Sequence, residues 1–178
     1  MPAAVESAFD IALWFVDAAL ETGEHLQPQK LQRLLFLAQA YYAVLHEGRP
    51  LMPAVFVADA LGPIEPNVFA AFAKGRPHLE SSRFLPAAAE AVLRGVWRRF
   101  GHQSADALAR LIKETPAFHE ARRRGHRAEI PLAAMVAAFA AADGPPSADK
   151  IVRPTVMCTQ NGRPVVVKTW LPKAAARS

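Results

Sequence analysis

The side chains best suited to metal binding or nucleophilic chemistry are six histidines, His25, His46, His78, His102, His119 and His126, and a single cysteine, Cys158. A helical metal site needs histidines at i and i+4, or an HExxH pattern, so that two ligands share one face. These histidines are scattered; the nearest approach is His119-Glu120, with His126 further along the chain. One cysteine cannot build a thiolate cluster. Hydrolysis by serine calls for a strained elbow such as GxSxG, and Ser7, Ser81, Ser82, Ser104 and Ser147 have no such setting. Ser104 reads as a helix cap, and Cys158 as a small apolar strand residue. The nine glycines stand singly, where a phosphate loop would group them; they are expected at turns and helix ends. Glu21 and Glu24 fall at a helix end, where solvation is the default. The expectation is a non-enzyme with no catalytic residue, metal or cofactor.

Cations are the other chemistry on offer. The run Arg122-Arg123-Arg124-Gly125-His126-Arg127 is dense enough to neutralise phosphates. It also falls at an expected helix C-terminus, where positive charge favours the macrodipole with no ligand at all. Arg94, Arg98 and Arg99 lie on another expected helix and could join the same patch. Charge is divided unevenly. Residues 1–90 carry 6 Lys/Arg against 10 Asp/Glu, or −4, and residues 91–178 carry 15 against 6, or +9. A basic second half suits an acidic protein or a nucleic acid. No helix-turn-helix or aromatic stacking motif accompanies the arginines, so a DNA-binding regulator is the alternative function, not the first.

These groups must be positioned by helices. The 52% apolar content is rich in alanine, which forms helices well and adds little burial. Phe9, Leu13, Val16 and Leu20 recur at helical spacing over 7–20, with Gly23 as the stop. A second helix starts at Pro28, after the poor cap Gln27. It carries a stripe from Leu31 through Leu34, Leu35, Ala38, Tyr41 and Tyr42 to Leu45. Phe36 and Leu37 extend the stripe round the cylinder, and Gly48 stops it. A helix so nearly apolar all round is central in its bundle. Val55-Phe56-Val57 fits either a short strand or a helix start, and Gly62-Pro63 reads as a break. Further helices are expected over 66–73, 86–100, 104–113, 115–124 and 131–142, with a loop over 74–85.

Past this point the period changes. Residues 144–150 read as a linker. Residues 151–178 follow with two β-rich runs, 155–159 and 164–170, around Asn161-Gly162, a strong hairpin signal. Val166 and Trp170 on the second run are candidate partner contacts, together with Arg122, Arg123 and Arg124. The expected fold is mostly α. It is a single helical domain of about seven helices (1–143) with a C-terminal β-hairpin and, if Val55 begins a strand, a small sheet.

The N-terminal stretch carries acids before its apolar part, unlike a signal peptide. No segment reaches the ~18 uncharged apolar residues of a membrane span, and Lys30, Arg33, His46 and Glu47 interrupt the most apolar one. A cytoplasmic protein with no membrane partner is expected.

Four segments carry a resemblance: "LQPQKLQRLLFLAQAYYAVLHEGRPL", "ALGPIEPNVFAAFA", "VWRRFG" and "SADALARLIKETPAFHEARRRG". Over about residues 5–140 the chain resembles the Panacea domain family, SocA-type antitoxins in particular. The matching positions are Lys30, Leu31, Gln32, Leu34 and Leu35 at the helix start, then Gln39. Gly48, Pro50 and Leu51 match the family's turn, Gly62 and Pro63 its Gly-Pro loop, and Trp97 a later helix. Departures are Gln27 for a usual threonine, Leu61 for an aromatic, Ile112-Lys113 for a Thr-His pair and Phe118 for a tryptophan. The resemblance implies a helical antitoxin that binds a cognate protein toxin. For the SocA-type branch it further implies handing that toxin to a ClpXP-type protease.

Overall fold

The second helix is the axis of the molecule. In the computed structural model, residues 1–78, 84–140, 148–152, 156–158 and 164–166 are described, the last two segments and residues 149–150 by their backbone alone. The helices are α1 (Ala8–Glu21), α2 (Pro28–Leu45), α3 (Pro66–Phe72), α4 (Ala87–Phe100), α5 (Ala105–Lys113), α6 (Pro116–Arg124), α7 (Leu132–Ala140) and the single turn α8 (Ala148–Ile151). Every residue of α2 from Leu31 to Ala43 is buried. It packs against α1, α3, α4, α5, α7 and α8 and against strand β2 (Gly62–Ile64). The expected central helix and mostly α architecture are what the molecule has.

Helix ends follow the residue chemistry. Ser7, Ser104 and Thr115 accept from the N–H groups of Phe9, Ala107 and Phe118, capping α1, α5 and α6. Gln27 gives α2 no side-chain cap, in keeping with its type. At the end of α1, Gly23 has φ of 74°; its N–H bonds Leu20 O, and the Glu24 N–H bonds Ala19 O. That pair is the αL closure that glycine allows at low cost. At the end of α2 the left-handed geometry begins at Glu47, one position before Gly48, and the Gly48 N–H reaches Ala43 O at 2.8 Å.

Three details depart from the sequence pattern. On α1 the buried face includes Ala8, Ile11, Ala12, Phe15 and Ala19, while Leu20 is 58% exposed. Leu13 of the expected stripe is buried with them and Phe9 and Val16 are partly buried, so only Leu20, at the helix end, falls outside. Gly62-Pro63 is no break; with Ile64 it forms β2, buried throughout and antiparallel to β1 (Val57–Asp59) in the register Val57↔Ile64, Ala58↔Pro63 and Asp59↔Gly62. Thus the strand expected near Val55 begins at Val57 and pairs locally. On its other side, β1 is joined to 128–130 by Ala58 N–H to Ala128 O and Ile130 N–H to Phe56 O.

The third departure is the linker. Ala148–Ile151 form a helical turn at its end, and Ile151 is fully buried against α4. Gly95, in the middle of α4, makes this possible: a Cβ there would run into the Ile151 carbonyl. Gly95 therefore serves close packing, away from any turn or helix end. Beyond it, β3 (Val156–Cys158) and β4 (Pro164–Val166) pair antiparallel, with Cys158 opposite Pro164. The hairpin is present. Asn161-Gly162 and Trp170 lie outside the described residues.

Around α2 the core closes with aromatic edges: Phe36 meets Phe56 at 5.4 Å and Phe139 at 6.0 Å, and Tyr41 meets Phe139 at 5.4 Å. Leu35 has no exposure. Truncation at a filled core site removes both burial and packing, so Leu35→Ala should lower unfolding free energy by about 2–5 kcal/mol. Chemical denaturation of both chains measures it.

Candidate functional site: a cation-clamped hairpin

Gln32, Arg33, Gln39 and Glu65 are polar side chains buried at 3% exposure or less. Burying such groups is costly unless they are bonded, so their partners identify what the fold must hold in place. Gln39 grips the segment after α2: its Oε1 accepts from the Leu51 and Met52 N–H groups at 3.1 Å each, and its Nε2 donates to Met52 O at 3.2 Å. The chain start adds to this segment, with Ala4 and Val5 N–H groups on Leu51 O. Gln32 Oε1 accepts from the Glu65 N–H at 2.7 Å, and Glu65 caps α3 through the Val68 N–H at 2.7 Å. One position along, Arg33 donates to Gln29 O at 3.0 Å and to Leu61 O.

Arg33 is one of four cations that, among the described residues, bond the β1–β2 hairpin. Lys113 at the end of α5 donates to Ala60 O at 2.7 Å. Arg122 of α6 donates to Ala58 O at 3.3 Å. Arg127, just past α6, pairs with Asp59 Oδ2 at 2.9 Å. A two-residue hairpin turn is ordinarily built on positive φ at its middle positions. Ala60 and Leu61 are not among the positive-φ residues; that geometry falls on Gly62, at 131°. Gly62 also has no room for a side chain, since a Cβ would meet Arg33 Nη2 at 2.9 Å.

Electrostatics fit the geometry. Burial pulls the Arg33 guanidinium below its ordinary pKa, and Asp59 and Asp106 act to restore it; arginine stays charged at neutral pH regardless. Burial raises the Asp59 carboxyl, but the Arg127 hydrogen bond, the Leu61 N–H and the charges of Arg127 and His126 outweigh it. The carboxyl therefore ionises below the usual carboxylate range.

The arginine trio at 122–124 divides between two faces. Arg122 turns to the hairpin, whereas Arg123 and Arg124 line a cleft of about 450 Å³ with Ala117, Glu120, Pro131 and Ala134. Arg124 also donates to Glu129 O. Val166 lies on β4, which is described by its backbone alone. Of the family-like positions, Lys30 donates to Gly101 O, pairs with Glu24 at 3.6 Å and lies 5.8 Å from the Trp97 ring. Leu31, Leu34 and Leu35 are core. Pro50, beside Met52 and Phe56, lines a second cleft of about 200 Å³. The sequence pattern does not single out Arg33, Lys113, Asp59 and Arg127 as a group. Their one shared signal is charge without solvent-facing periodicity. Among the described residues no three His, Cys, Asp or Glu side chains converge as metal ligands, and no helix is long and apolar enough to cross a membrane.

Compared with protein-family models, curated proteins and solved structures, the chain finds no match in any of the three.

Because the Asp59 carboxyl ionises below its unfolded range, its contribution to stability is present above the unfolded pKa and is lost as pH falls through the folded one. Asp59→Asn removes that contribution. The stability gap between wild type and Asp59→Asn should therefore be widest near neutral pH and narrow in acid, below the ordinary carboxylate range. Urea titrations across that pH range measure it.

Proposed function

We propose that the protein is an antitoxin of the Panacea type, acting in the cytoplasm. It neutralises a cognate protein toxin by direct binding and serves as an adaptor that presents the toxin to a ClpXP-type protease. One observation carries the reading. Side chains of α2 bond residues in three of the four segments that bear the resemblance. Gln39 holds the chain at Leu51, after the Gly48–Leu51 turn. Gln32 holds Glu65 and Arg33 holds Leu61, on either side of Gly62-Pro63. Lys30 joins the end of α4 beside Trp97.

An adaptor works by binding alone, through surfaces held rigid enough to recognise a partner. The clamped hairpin supplies one such surface. The arginine-lined cleft between α6 and α7 supplies a second, suited to carboxylates at Arg123 and Arg124, with Glu120 limiting how much negative charge it takes.

Co-expression with the product of the adjacent gene tests the proposal. The two chains should co-purify, and growth arrested by that product alone should recover when this chain is present. A gene product that neither co-purifies nor loses its toxicity overturns the antitoxin reading.

A further inference from the structure

We infer that the tip of the β1–β2 hairpin is the anchor by which this chain grips its protein partner, with Leu61 entering an apolar pocket rimmed by carboxylates. The inference rests on the antitoxin reading and deepens it by naming the surface and the chemistry of its occupant.

Leu61 is 63% exposed on a turn that the fold secures from several sides. Both of its backbone groups are already committed. Its N–H donates to Asp59 Oδ1 at 3.2 Å, and its carbonyl accepts from the Arg33 guanidinium. The residue before it is held at Ala60 O by Lys113, and the residue after it is Gly62, packed on Arg33. The side chain is thus presented outward on a backbone that cannot swing. An apolar anchor whose backbone is ordered beforehand binds at a lower entropic cost. Such residues, seated in a pocket, carry most of an interface's energy.

The surroundings say what kind of pocket. Lys113 and Arg122 bond the hairpin through carbonyl oxygens and make no ion pair among the described residues. Of the four cations, Arg127 is the one paired with a hairpin carboxylate, Asp59; Asp106 is the other acid close enough to influence Arg33. Lys113 and Arg122 thus flank the apolar tip without an ion pair, beside the paired Arg127 and Asp59. Complementarity then favours a partner whose pocket is apolar at its floor and acidic at its rim, and predicts encounter that slows with salt. Leucine has no planar face to stack on a base, so a protein fits this tip better than a nucleic acid.

The test uses the full chain and the purified adjacent gene product, with binding measured by calorimetry. Leu61→Ala should weaken the complex by at least about tenfold and Leu61→Asp further still. Leu20→Ala, at an exposed leucine on α1, should change affinity by less than about twofold. Because Leu61 is exposed, both variants should keep the wild-type unfolding midpoint; if Leu61→Asp does not, Leu61→Ala decides. Wild-type affinity in a folded Leu61 variant overturns the anchor and leaves the antitoxin reading standing. A wild-type chain that does not bind the gene product overturns both. Binding to promoter DNA in its place overturns them too and reassigns the cations to phosphates.

Discussion

Arg33 is 2% exposed on a helix otherwise given over to core. Its position is the constraint on which the rest of the structure turns. A buried cation is expensive to desolvate, and removing its partners typically costs several kcal/mol because the charge is left stranded. It is tolerable here because α2 offers Gln29 O on one side and the hairpin offers Leu61 O on the other. Arg33 thereby ties the β1–β2 hairpin to α2, Gly62 packs on its guanidinium, and segment 128–130 joins β1 in turn.

The same arrangement explains why the basic half of the sequence is not simply a basic surface. Lys113 and Arg122 come from different helices and Arg127 from the loop that follows α6, yet all reach the same short hairpin. Arg98 donates to Ile151 O and helps seat α8. Arg94 pairs with Glu90 one turn back on α4, an exposed pair of small energetic weight. Among the described residues, Arg98, Lys113, Arg122 and Arg124 thus use their charge to hold backbone carbonyls in place.

Sequence is informative where local chemistry decides the outcome. Caps at Ser104 and Thr115, the stop at Gly23, the uncapped start at Pro28 and the apolar girth of α2 all follow from residue type and spacing. It misleads where packing decides. Leu20 reads as core because leucine usually is, but at that end of α1 the buried residue is Ala19. Gly62-Pro63 reads as a break because a three-residue strand is too short to show a period. Residues 148–150 read as the end of a linker because nothing in that stretch announces that Gly95, far upstream, leaves a seat for Ile151. The arginine run is legible as charge, but Arg122 finds its partner carbonyl far away on β1, which no local pattern encodes. Gln32 and Gln39 hold Glu65 and residues 51–52 against α2, pairings across the chain that no local pattern encodes.

The central claim is that a buried arginine fixes the hairpin while the remainder of the core stands on its own apolar packing. Amide hydrogen exchange on Arg33→Met measures this most directly, because it resolves each segment separately. Methionine keeps an apolar stem in place of the guanidinium. The account predicts faster exchange across residues 57–64, with α2, α4 and α7 amides close to wild-type protection. Unchanged protection over 57–64, or an even loss through every helix, contradicts it.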